Sequence, residues 1–217
     1  MATCKTGVLS PFSGQVGPVV GAVLKTLNVI RKRPGKSSKP PKQSQVDQRS
    51  KFATAMEFVR GQSDTFRLGY KMYTGIVGPL NVAARHLLKD AITGVSPDFK
   101  LDYPKIVFSK GKLVKAMDLE MTALPQSTMK FEWSLDLVKP ALLVERGKDK
   151  CYAVMYSEAL QMAVTSDGIF TRSELSFELK APRAFIGKTV HVWFFFSTED
   201  GEQVSDSLYL GSEILLA

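Results

Sequence analysis

The residues of this chain that could do chemistry are few and scattered. Histidine occurs twice, at His86 and His191. The first lies in an apolar-periodic stretch and the second in an alternating one. Neither belongs to a Cys/His cluster of zinc-ligand spacing, so both read as ordinary surface or boundary histidines. The two cysteines, Cys4 and Cys151, are far apart, one in a flexible terminus and one in a strand, and read as plain thiols. "PRAFIGKT" ends like a phosphate-binding loop. Its first position is Pro182 rather than glycine, however, and "VHVWFFF" behind it alternates as a strand where an anion-binding helix should begin. Asp118/Glu120 and Glu199/Asp200/Glu202 resemble a glycosidase pair or a calcium loop in composition only. On alternating strands and hairpin tips such acids form a solvated face. With no G-x-S-x-G and no Cys–His arrangement, the expectation is no catalytic residue, no metal and no cofactor.

What must position these residues is a neutral body with a basic arm. The net charge is +8, and residues 1–50 hold nine Lys and Arg against the single Asp47. The remaining chain balances its charges, so the sequence pI of about 9.4 describes the arm alone. Residues 1–45 are rich in Gly, Pro, Ser and Lys. Residues 46–97 change to helical period. Phe52, Ala55, Met56 and Val59 form one stripe, Phe66, Tyr70 and Tyr73 another, with Ser63 as an N-cap. Leu80, Ala83, Ala84, Leu87, Leu88 and Ala91 make the clearest helix, opened by Pro79 and capped by Gly94.

From residue 98 the period drops to two. "YPKIVFS", "LVKAMDLEMTA", "STMKFEWSL", "KCYAVMYSEA", "RSELSFELK", "KTVHVWFFFS" and "VSDSLYLG" are the candidate strands. Lys110-Gly111-Lys112 is a hairpin-like break between the first two. About seven short strands with turns between them indicate an antiparallel sandwich of immunoglobulin or fibronectin-III type. Trp133 on an early strand should face the aromatic late one. The run Trp193–Phe196 should be buried on both sides. The fold class is therefore α+β: a basic arm with a β-hairpin, a small helical segment and a C-terminal sandwich.

The combination of "GVLSPFSGQVGPVVG", "NVIRKRP", "KSSKPPKQSQVDQRSKF", "LKDAITGVSPDFKLDYPKIVFSKG" and "SLYLG" resembles a widespread family of Bacteroidota proteins, a domain of unknown function. The resemblance brings no catalytic residues. It implies a hairpin tip at Leu24-Lys25-Thr26, where family members carry a Trp-Lys-Gly-type turn.

The stretch from Gly17 to Lys42 decides the functional expectation. No window has the apolar length of a membrane span. The charge cluster follows the apolar run, the reverse of a secretory signal, so synthesis is expected to be cytoplasmic, with the final location open. Val19, Val20, Val23, Leu24, Leu27 and Ile30 also fit a membrane-surface helix, whereas Gly17-Pro18 and the β-branched content favour strands. Arg31, Lys32, Arg33, Lys36, Lys39 and Lys42 are the candidate contacts to nucleic acid or another polyanion. No aromatic side chain sits among them to stack on bases. Val19, Val20, Val23, Leu24, Leu27 and Val29 are the candidate assembly segment. The preferred expectation is a non-enzymatic structural or interaction protein that self-assembles into a homo-oligomer through the arm and the sandwich edges. The alternative is a coat-like, nucleic-acid-associated protein with the arm as an electrostatic tether.

Overall fold

The computed structural model describes residues 3–4, 12–24, 27–35, 39–73, 75, 77–134 and 146–217. It contains two compact units, Met1–Val46 and Asp47–Ala217.

The first unit is a four-stranded antiparallel meander, β1 (Thr3–Cys4), β2 (Phe12–Val16), β3 (Val19–Leu24) and β4 (Leu27–Lys32), in the order β1-β2-β3-β4. β2 and β3 are joined by Gly17-Pro18. Gly17 has φ +55°, the left-handed backbone that the first position of a tight hairpin turn requires. β3 and β4 pair from Leu24↔Leu27 to Val19↔Lys32, and Arg33 N–H donates to Pro18 O at 2.8 Å to close the far end. The β-branched valines and the two-residue period thus win over the helical spacing of the same residues, and the membrane-surface helix is ruled out. Cys4 pairs with Phe12 in β1, so it belongs to a strand and not to a loose terminus.

The second unit is built on α1 (Gln43–Gly61), α2 (Ser63–Gly69) and α3 (Pro79–His86), the last extended by a wider turn over Leu87–Ala91. A hairpin, β5 (Ile92–Val95) and β6 (Asp98–Leu101), carries a cis Ser96–Pro97 peptide, and a 3-10 turn follows at Tyr103–Lys105. Then come β7 (Met117–Leu124), β8 (Thr128–Ser134), β9 (Lys150–Ser157), β10 (Met162–Thr165), β11 (Ser176–Lys180), β12 (Thr189–Ser197) and β13 (Leu208–Ile214). They form two antiparallel sheets, β10-β9-β12-β13 and β11-β8-β7, the four-plus-three arrangement of a fibronectin-III-like sandwich.

Two hydrophobic cores flank the four-stranded sheet. One face packs Val192, Phe194 and Phe196 of β12 against Met129, Phe131 and Trp133 of β8 and Phe177 of β11. The other packs Trp193, Phe195, Val154 and Tyr156 against Phe58, Phe66, Tyr70 and Leu87 of the helices. The alternating aromatic run of β12 is therefore buried on both sides, as its sequence implied. Trp133 lies 5.5 Å from Phe194 and 5.9 Å from Phe196, ring to ring. The second layer that completes the two-sided burial is helical.

Four local expectations fail. The segment "YPKIVFS" is not a strand. Ile106 and Phe108 do point inward, but the backbone is tied by side chains: Trp193 Nε1 donates to Ile106 O at 3.0 Å, Tyr70 Oη to Val107 O at 3.0 Å, and Phe108 N–H to Ser207 Oγ at 2.9 Å. The seventh strand of the sandwich is β10 instead. Gly111 is not a hairpin tip; it presses against the Val204 carbonyl, where a Cβ would collide. Gly94 does not cap α3. It sits in β5 opposite Phe99 at φ +95°. Ser63 is the first residue of α2, and the N-cap position is Gln62, whose side chain makes no capping bond.

Candidate functional site

The register of the arm assigns each candidate residue to a face, because directly opposed residues of antiparallel strands share one. One face carries Phe12, Val16, Val19, Val23 and Ile30, with Gly14 and Gly21 between them and the polar Asn28 and Lys32 at its two ends. The opposite face carries Ser13, Gln15, Val20, Ala22, Val29 and Arg31, with the backbone pair Leu24↔Leu27 at its end. The candidate assembly segment is therefore split: Val19 and Val23 lie on the first face, Val20, Leu27 and Val29 on the second, and Leu24 enters only as the backbone partner of Leu27. Ile30, Val16 and Phe12 join the first face, and the segment read from the sequence omitted them. Their two-residue spacing was a signal that could have found them.

Phe12 lies directly over Gly21, where any Cβ would meet its ring and its carbonyl. Gly21 is the one buried residue among the described residues of the arm. Ile30 is 66% exposed, Val16 56% and Val23 47%. The arm sheet thus shows apolar side chains that it does not cover itself. Arg31, Lys32 and Arg33 are exposed at the outer end of β4, and Lys39 and Lys42 are exposed beyond it. Lys36 lies outside the described residues.

In the body, the chemically capable groups are tied up locally. His191 Nδ1 lies 2.9 Å from Tyr209 Oη, and its ring stacks on Tyr103 at 4.0 Å. Burial holds its pKa below the ordinary value, with Glu158 opposing. Burial and the neighbouring Lys110 lower that of His86, whose ring meets Tyr70 edge-on at 5.6 Å. Burial pushes the Cys151 thiol up, leaving it neutral and unreactive. The P-loop-like stretch is a 3-10 turn at Arg183–Phe185 followed by β12, with no helix behind it. Asp118 accepts from Ser134 Oγ at 2.6 Å. Asp200 accepts from Thr198 Oγ1 at 2.6 Å and Glu202 N–H at 2.9 Å, which lower its pKa, and Glu202 pairs with Lys71 at 2.7 Å. Among the described residues no group of three or more His, Cys, Asp or Glu is placed to hold a metal ion. Nor is any helix there long and apolar enough to cross a membrane.

Sequence reasoning missed one buried ion pair. Arg172 Nη1 meets Asp149 Oδ2 at 3.0 Å, with both side chains under a tenth exposed. Arg172 Nη2 donates to the carbonyls of Val114 at 2.6 Å and Lys115 at 3.1 Å, and the guanidinium lies 4.0 Å from the Phe196 ring centre. The cation thus ties Asp149, the Val114–Lys115 connector and β12 together, which makes this a structural clamp.

The chain matches the model of a family described as "Family of unknown function (DUF6266)" over residues 11–211. It belongs to that family. The matched span begins just before β2 and ends in β13, so family membership covers the arm as well as the sandwich. No curated protein matches the chain. Solved structures that do include the FN5 domain of Drosophila Lar, at 10% identity and TM-score 0.33, covering 47% of this chain and 95% of that one. The FN1–FN3 domains of chicken CNTN1 match at 11% identity and TM-score 0.34, covering 50% of this chain. The chain spans about a third of the CNTN1 fragment, 34% of its length. The sandwich assignment stands on this family member's own strand order and register.

Proposed function

We propose that this protein is a non-enzymatic structural or interaction protein of the Bacteroidota that self-associates through its N-terminal arm. The observation carrying this reading is the uncovered apolar face of the arm sheet, with Val16, Val23 and Ile30 exposed around Gly21. Exposed apolar side chains grouped on one face of a single-layer sheet are what an interaction surface looks like. A second copy of the chain supplies that surface. The sandwich edges contribute less. β10 and β13 expose Met162 and Ile214, but the pairing of β13 with β12 is interrupted by a register shift, a feature that blunts edge pairing.

Size-exclusion chromatography with light scattering tests the reading on three chains: the full protein, one beginning at Gln45, and full-length Val23→Glu/Ile30→Glu. The expected result is an oligomer for the first and monomers for the other two. Monomers throughout would rule it out.

A second reading is favoured by the exposed Arg31-Lys32-Arg33 cluster: the arm as a sequence-independent tether for nucleic acid. Its mark is a mobility shift that weakens steeply as salt rises. A salt-insensitive or absent shift would eliminate it.

A further inference from the structure

The arm carries two unlike surfaces on one sheet. Its unit, Met1–Val46, holds eight Lys and Arg and no Asp or Glu. Three of the cations stand together where β4 ends. Arg31, opposite Val20, lies on the second face and Lys32, opposite Val19, on the first. Arg33 continues the ladder through its N–H bond to Pro18 O at 2.8 Å. All three are exposed, and none forms an ion pair among the described residues. The exposed apolar pair Val23 and Ile30 lies nearer the other end of the β3–β4 ladder. Ile30 is two residues from Lys32, about 6–7 Å along the strand, so a surface resting on Val23 and Ile30 need not cover the Arg31–Arg33 end.

That composition sets a condition on association. A contact between two arms brings two sets of cations together, with no carboxylate in either arm to answer them. Sheets packed face to face lie about 10 Å apart, which matches the screening length at 0.1 M salt. The cations of one copy are therefore felt by those of the next, and apolar burial works against their repulsion. The body balances its own charges and offers no excess of carboxylates. A phosphate backbone supplies the counter-charge as a continuous line that one strand presents to two neighbouring arms. No aromatic side chain lies between Leu27 and Arg49 to stack on bases, so the contact is to the backbone and without regard to sequence.

We infer that the arm loads neighbouring copies cooperatively onto a nucleic-acid strand: the Arg31-Lys32-Arg33 end of β4 holds the strand's phosphates, and the Val23/Ile30 face holds the next copy. This coupling rests on the self-association proposed above and adds its regulator. Strand binding removes the repulsion between arms, and by reciprocity contact between arms tightens strand binding by the same factor. The apolar face remains the source of the contact, and the strand sets when it forms.

Titration of the full chain into a fluorescently labelled oligothymidylate of roughly 40 nucleotides tests it, at about 50 mM salt and at concentrations where light scattering shows the chain alone to be monomeric. The expected anisotropy curve is sigmoidal. Val23→Ser/Ile30→Ser should bind hyperbolically, with half-saturation at about tenfold higher concentration. Val20→Ser/Val29→Ser, changed on the opposite face, should stay sigmoidal. Arg31→Gln/Lys32→Gln/Arg33→Gln should lose at least about tenfold in strand affinity, yet self-associate without the strand at lower concentration than the parent. A hyperbolic curve for the full chain or for Val20→Ser/Val29→Ser, a sigmoidal one for Val23→Ser/Ile30→Ser, or no strand binding at all would overturn the coupling. Where the concentrated full chain still forms an oligomer by itself, each of those results leaves self-association standing. A monomer at every concentration, with and without the strand, would overturn both.

Discussion

The arm and the sandwich are written in the same alphabet of alternating β-branched and aromatic residues, and they end in opposite states. In β12 each alternate set finds a layer. Phe194 and Phe196 meet the second sheet, while Trp193 and Phe195 meet the helices, and all four are buried. In β2, β3 and β4 alternation also sorts side chains onto two faces, yet the described residues leave Ile30 66% exposed and only Gly21 buried. Strand propensity makes a sheet. Burial needs a second surface, and the arm lacks one within its own strands. The excess charge follows the same division, with the body neutral and the arm carrying the whole +8.

Substitutions can break this contrast. Phe194→Ala should cost the body about 3–5 kcal/mol by cavity formation, measured by urea unfolding of the full chain. Ile30→Ala should leave the same transition within about 0.5 kcal/mol, as a change at an exposed site does. An equal loss from both would erase the distinction. Arg172→Ala should also cost about 3–5 kcal/mol, because it strands the Asp149 carboxylate in the interior. The paired glycines give the next largest effect. Gly111→Ala drives a Cβ into the Val204 carbonyl and should cost the body about 1–3 kcal/mol. Gly21→Ala displaces the Phe12 ring and should weaken self-association while leaving body unfolding in place.

How far the sequence could be read differs between these regions for physical reasons. Two-sided burial of β12 was legible because the run from Val192 to Phe196 is apolar at both phases of the two-residue period. The Ile106–Phe108 connector was misread because its alternation is that of a strand, while its hydrogen bonds go to Trp193, Tyr70 and Ser207, which no local pattern reveals. β10 escaped because Met162–Thr165 is only 4 residues long and follows a turn. The arm's hairpin was legible from Gly17-Pro18 and the valines. Which face each valine takes needed the register.

Two smaller effects sharpen the account. If nucleic acid binds, Arg31→Ala should lower the slope of log affinity against log salt by about 1, without changing body stability. The pH dependence should come from the body. Burial depresses the pKa of His191 in the folded state, so the unfolded chain takes up the proton first. The stability due to the neutral ring is therefore complete above the ordinary value of 6.5 and is lost as pH falls below it toward the depressed folded value. His191→Gln should flatten that part of the stability–pH curve relative to the parent protein. An unchanged slope would show that His191 titrates alike in both states.

The central claim is that the arm's exposed apolar face, and not its charge, drives association. Light scattering of the full chain at about 50 and about 500 mM salt measures this directly, because screening relieves repulsion between basic arms but weakens binding to polyanions. The account predicts an oligomer that persists or tightens at high salt and is abolished by Val23→Glu/Ile30→Glu. A monomer at both salt concentrations, or an oligomer indifferent to those two substitutions, would contradict it.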